Sequence, residues 1–231
     1  MPTLPGPPAV DVVLRRSARA TRFSLRVSRL DGKVTLSVPL RSSEKDAMAF
    51  LRAQEEWLRN ALSRLPKTAL VTFGSQLMVE GDALILAQGG GRSLTVDGPH
   101  LRVPGDPAAA GARVQAWLKA LARDRLVAAS DHYAAQIGRK VTRVTLRDTR
   151  SRWGSCTSDG ALMYSWRLIM APPSVLRYVA AHEVAHLVEM NHSPRFWAVV
   201  DRLYPGWQAQ RNWLHRHGGA LHALRFTTAG D

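Results

Sequence analysis

Apolar and polar residues partly alternate in "DVVLRRS" (11–17), "RFSLRVSR" (22–29) and "KVTLSVP" (33–39), which predicts a strand followed by a hairpin turned at Asp31 and Gly32. Over 42–65, "SSEKDAMAFLRAQEEWLRNALSRL", the period lengthens to that of a helix. Ser42 or Ser43 is placed as its N-cap, Glu44 and Asp46 in its first turn, and Pro66 at its far limit. Short apolar bursts then return in "QLMVE", "ALILA", "SLTV" and "LRV" between 76 and 103, punctuated by Gly81, Gly89 to Gly91 and Gly98, and predict a small β meander.

From Asp106 the pattern becomes a long Ala- and Leu-rich helix, interrupted early by Gly111 and closed by Gly138. The strand "VTRVTLRD", the polar "TRSRWGSCTSDG" and a second strand "ALMYSWRLIM" (161–170) follow. Pro172 and Pro173 stop that strand and open a helix expected to run to Met190, since proline costs nothing in a first helical turn. The pattern predicts an α+β fold. It divides into a disordered segment 1–10, a β-rich portion with one helix at 11–105, a catalytic portion at 106–220 and a flexible tail at 221–231.

Composition narrows the classes. With 45% hydrophobic residues in 231, the chain can fill a core without covalent staples, and with Cys156 as its one cysteine it cannot build an intramolecular disulfide. That suits a reducing compartment, and with no long apolar run to span a membrane the expected address is the cytoplasm. The formal net charge of +14 attracts polyanions and leaves open nucleic-acid binding through a basic surface. The arginines are dispersed, and no zinc-finger spacing or recognition-helix signature accompanies them.

The stretch "AAHEVAHLVEMNHSPRFW" (180–197) changes the picture most. His182 and His186 are one helical turn apart on one face, so their imidazoles can converge on a single cation, and Glu183 between them can take a proton from a water activated by the metal. A third ligand on the same straight helix would form a row rather than a tetrahedral corner, which argues against Glu189. Asn191 can end the helix, and Ser193 with Pro194 can start the next one, which swings His192 toward the metal. His192 is therefore the expected third ligand, and Glu189 a neighbour that holds an imidazole or an arginine in place. The spacing of the three histidines matches the metzincin signature, but Glu189 stands where metzincins have glycine, and no convincing Met-turn follows.

Together, "SRWGSC" (151–156), "YSWRLIMAPPSVLRYVAAHEVAHLVEMNHSPRFW" (164–197) and "RNWLHRHG" (211–218) resemble the YgjP-like metallopeptidase domain family, as does the Arg-rich "VLRRSARATRFSLRVS" at the front. The resemblance implies a small zincin related at fold level to SprT-type and minimal gluzincin-like peptidases. It implies a Zn2+ cofactor, His182, Glu183, His186 and His192 as the family's site residues, and peptide or unfolded-protein substrates. Ser165 stands where family members usually have asparagine. A relative labelled a UTP pyrophosphatase adds a nucleotide substrate as the alternative, for which Arg150, Arg152 and Arg167 would neutralise phosphates. A zinc-stabilised nucleic-acid-binding module without catalysis is the non-enzymatic alternative. For a peptide, the strand 161–170 offers an edge for main-chain pairing. Tyr164 and Tyr178 are candidate oxyanion donors, whereas Trp153 and Cys156 read as packing and cleft-floor residues.

Overall fold

Alternation near the N-terminus is realised as a sheet of β1 (Thr3–Leu4), β2 (Val10–Ser17), β3 (Ser24–Val27) and β4 (Val34–Pro39), in the order β1-β2-β4-β3. The computed structural model describes residues 2–28, 32–65 and 68–227, and the chain divides into two units, Met1–Lys67 and Thr68–Asp231. Asp31 of the expected hairpin turn lies outside the described residues, but β3 and β4 pair antiparallel across it as expected.

In the first unit the sheet's inward residues Val10, Val12, Val34, Leu36 and Val38 pack with Ala47, Leu51 and Leu58. Each fully buried Val or Leu contributes roughly 1.5–3 kcal/mol. The expected single helix is two, α1 (Glu44–Ala53) and α2 (Glu55–Ser63), broken at Gln54, whose φ of −102° and ψ of 11° leave the helical region. Ser43 is the N-cap of α1 and accepts from the Asp46 amide. The N-terminal segment is not disordered as its prolines suggested. Leu4 is fully buried, β1 pairs with β2, and Arg59 donates to the carbonyls of Pro5 and Pro8, so one apolar side chain and two captured carbonyls anchor it.

The second unit begins with β5 (Ala69–Leu70), β6 (Gln76–Val79), β7 (Asp82–Gly89), β8 (Thr95–Asp97) and β9 (His100–Pro104). The last four form a sheet ordered β6-β7-β9-β8. It is not a simple meander, because β9 inserts parallel to β7 and puts β8 at the edge. The boundary therefore falls after α2, and residues 68–105 join the catalytic portion from which the sequence reading separated them.

The long helix α3 (Ala110–Gln136) is the spine of this unit. It buries Val114, Leu118, Ala122, Leu126 and Ser130, spaced one turn apart. Gly111 does not interrupt it. A Cβ there would stand 2.2 Å from the Phe226 carbonyl oxygen and 3.0 Å from that of Val71, so the glycine lets main chains approach the helix.

Next come β10 (Arg143–Arg147), β11 (Gly154–Cys156) and β12 (Ala161–Ser165), ordered β10-β12-β11. Only half of the expected strand 161–170 is strand, because Trp166–Met170 coil into a fully buried 3₁₀ turn. Three helices complete the unit: α4 (Pro173–Ala185), α5 (Pro194–Leu203) and α6 (Gln208–Ala223). Then β13 (Leu224–Arg225) pairs with β5 and precedes the buried Phe226. Residues 221–226 are thus packed structure, not tail, and 228–231 lie outside the described residues. None of the described helices is long and apolar enough to cross a membrane.

Candidate active site

Helix α4 carries His182 and Glu183 in its last turn and ends at His186, four residues before the expected Met190. The reason is a tightened turn: Leu187 and Val188 donate to the carbonyls of Val184 and Ala185, three residues back. No left-handed Asn191 is involved, since Glu80 is the one non-glycine with positive φ among the described residues. The chain then reaches Ser193, whose hydroxyl accepts from the Phe196 amide and caps α5. His192 is carried back over the helix end.

Ligand atoms of His182, His186 and His192 lie within 4.8 Å of one another. Phe196, fully buried, sits beneath all three rings, at 4.9, 4.4 and 4.7 Å between centroids. His186 donates from Nδ1 to the Glu189 carbonyl at 3.0 Å, which leaves its Nε2 lone pair to face outward. Glu189 is therefore a positioning neighbour through its main-chain oxygen rather than its carboxylate, and it lies beyond the helix, not on it.

The donor set fits a metal ion. Nε2 of His182 and Nε2 of His192 stand 3.1 Å apart, close to the roughly 3.3 Å separating nitrogens bound about 2.0–2.1 Å from a tetrahedral ion. Nδ1 of His182 is buried with no hydrogen-bond partner among the described residues. Burial, the His186 and His192 rings and Arg211 push the His182 imidazolium down to about 3, and burial also lowers His186, so both present neutral imidazoles that could hold an ion.

Glu183 is 6% exposed and lies beside this triad in a cleft of about 550 Å³. Burial pushes its carboxyl up to about 8, against the opposing pull of Arg152. The main chain of β11 closes on it so tightly that a Cβ at Gly154 would stand 2.5 Å from Glu183 Oε1. Gly154, Ser155 and Cys156 line the cleft along the free edge of β11. The strand expected to offer that edge, β12, is covered on both sides by β10 and β11.

Of the substrate-binding candidates, the cleft gathers Arg152 and Tyr178 and leaves out Arg150, Tyr164 and Arg167. Tyr164 is fully buried and hydrogen-bonded to Ser130 of α3. Arg167 is a structural clamp: it grips Asp148 at 2.6 and 3.0 Å and donates to the carbonyls of Leu221 and Leu224. Tyr178 stacks on Trp207 and, with burial raising its phenol to about 12, remains a proton-bearing donor. Burial likewise raises the Cys156 thiol, to about 11, which keeps it protonated on the cleft wall.

Arg211 and His215 of α6 also line the cleft, and the sequence reading passed over them. Their signal was the spacing of Trp207, Arg211, Leu214 and His215, one face of a helix.

The profile of the YgjP-like, metallopeptidase domain matches residues 21–217. The chain belongs to this family. Membership supports a metal-dependent peptidase, and the imidazole triad supplies the place for an ion. Among solved structures, the metallopeptidase zymogen of Pyrococcus abyssi abylysin is similar at 20% identity and a TM-score of 0.36, over 40% of this chain and 92% of that one. A search among curated proteins found no match.

Proposed function

We propose that the protein is a zinc-dependent peptidase in which His182, His186 and His192 hold the ion and Glu183 is the general base. The observation that carries this reading is the buried Glu183 carboxylate beside three converging imidazoles, all opening into one cleft. Three imidazoles suit zinc and would leave a coordination position open, as catalytic rather than structural zinc sites do. When bound, the ion would supply Lewis-acid chemistry, acidifying water and polarising the scissile carbonyl.

The residues divide the remaining work. Glu183 takes a proton from the water whose oxygen bonds to the carbonyl carbon, and then returns it to the amine nitrogen as the C–N bond breaks. Burial raises its proton affinity, which favours holding that proton until the amine takes it. The β11 edge pairs with an extended substrate main chain and aligns the bond to be cut. Tyr178 donates toward the carbonyl oxygen as charge develops on it. The single cysteine, protonated and unpaired in any disulfide, suits a reducing, cytoplasmic setting.

The nucleotide reading loses support at two of its three arginines, because Arg150 and Arg167 do not line the cleft. The test compares zinc-loaded wild type with Glu183→Gln on an unfolded-protein and peptide mixture and, separately, on UTP, with products identified by mass spectrometry and metal content by elemental analysis. Glu183→Gln should retain zinc and lose at least about a thousandfold in peptide turnover. Undiminished turnover in a zinc-occupied variant, or hydrolysis of UTP without any peptide product, rules the assignment out.

A further inference from the structure

Apart from Glu183, no described acidic residue lines the cleft, whereas Arg152 and Arg211 both do. Arg211 is held in place. Its guanidinium carbon lies 5.2 Å from the Trp197 ring and 5.8 Å from that of Trp207, and the two indoles stack on each other at 4.3 Å. Trp197 in turn meets the rings of His182 and His192 at 5.6 and 5.8 Å. A planar cation packed on two stacked indoles, one of which abuts the imidazoles, is preorganised beside them. Arg152 enters from the loop before β11, close enough to Glu183 to act on its charge.

Neither arginine forms an ion pair with a described carboxylate. Arg59, Arg102, Arg125 and Arg167, by contrast, are each bridged to one, at 2.8, 3.2, 2.7 and 2.6 Å. Unpaired surface arginines are unremarkable in so basic a chain. These two are set apart because both border the same cleft, one beside the triad and the other beside Glu183, and one of them is fixed by aromatic packing.

We propose that Arg211 and Arg152 recognise a carboxylate on the substrate near the scissile bond, so that the cleft selects acidic peptides or free peptide C-termini over neutral and basic ones. The proposal rests on the peptidase reading above and names its substrate class. A guanidinium offers paired donors matched to a carboxylate, and an anion entering this cleft meets no carboxylate among the described lining residues except that of Glu183. Basic peptides meet two like charges, and that repulsion adds to the discrimination.

The test uses binding, measured calorimetrically, so that it does not depend on cleavage. Zinc-loaded Glu183→Gln is titrated with two matched pairs of synthetic peptides. The first is acetyl-Ala-Phe-Leu-Asp-Ala-amide against its Asn counterpart, and the second is acetyl-Ala-Phe-Leu-Ala as free acid against its amide. The charged member of one or both pairs should bind ~10-fold or more tightly, and the responding pair identifies a side-chain or terminal carboxylate as the source. That advantage should shrink between about 0.05 M and about 0.5 M salt.

Arg211→Gln and Arg152→Gln, each combined with Glu183→Gln, should narrow the ratio, and Arg211→Lys should restore part of it. Equal binding within both pairs overturns the proposal, as does an advantage that survives when both arginines are replaced. Failure of the peptidase reading looks different: wild type would cleave none of these peptides while the arginine-dependent preference remained. Peptides cut by wild type without any preference would leave that reading in place and refute this one.

Discussion

At Gly154 a hydrogen stands where any other residue would place a carbon 2.5–2.7 Å from the Oε1, Cγ and Cδ atoms of Glu183. The contact is with the buried Glu183 side chain where it borders the cleft, so the added methyl must move either β11 or Glu183. Gly154→Ala should therefore cost about 1–3 kcal/mol of stability by overpacking and lower peptide turnover at least ~10-fold, with zinc content unchanged. Thermal unfolding, elemental analysis and a peptide assay on the same preparation check it, and normal turnover would mean that the β11 contact does not position Glu183. Single residues differed in how well the sequence exposed them. The pairing of His182 with His186 was legible because both lie on one helix, whereas the closeness of Gly154 to Glu183 was not, because it joins a strand to a helix far along the chain.

Among the elements, the break between α4 and α5 makes the triad. The tight turn after Ala185 and the Ser193 cap together set where His192 points. Removing the cap by Ser193→Ala should cost about 1 kcal/mol in stability. Because His192 is the adjacent residue, zinc affinity should fall ~10-fold while Glu183 is untouched; competition with a chromogenic chelator measures it, and unchanged affinity would show that the turn alone holds His192. The sequence named this break and its cap but placed the helix end too late, since apolar Leu187 and Val188 continue the helical pattern after the backbone has left it. It also chose β12 as the exposed edge, because residue alternation reveals a strand without revealing which of its neighbours are occupied.

For the whole molecule, the triad is mounted on a core that does not depend on it. Ala180, Ala181 and Ala185 of α4 and Phe196 of α5 are buried with α3 and the 3₁₀ turn in one hydrophobic cluster. Chelation should consequently leave the far-ultraviolet circular dichroism nearly unchanged at room temperature, while zinc at about a hundredfold excess over its Kd should add roughly 2.7 kcal/mol of stability and raise the melting temperature. Collapse of secondary structure on adding chelator at room temperature would instead make the ion a structural element. What the sequence determined by itself is whatever one element's periodicity can express: an α+β chain, helices at α3 and α4, two histidines and a glutamate on one turn, and a third histidine past a break. Tertiary structure alone decided which distant residues share the cleft. It brought in the β11 edge and Arg211, sent Arg167 to Asp148 and Tyr164 to Ser130, and drew residues 68–105 into the same unit as the histidine triad. The physical reason is that a residue's direction on its own helix or strand follows from local backbone geometry, whereas its neighbours from other elements follow from how the whole core is buried, which no short stretch of sequence encodes.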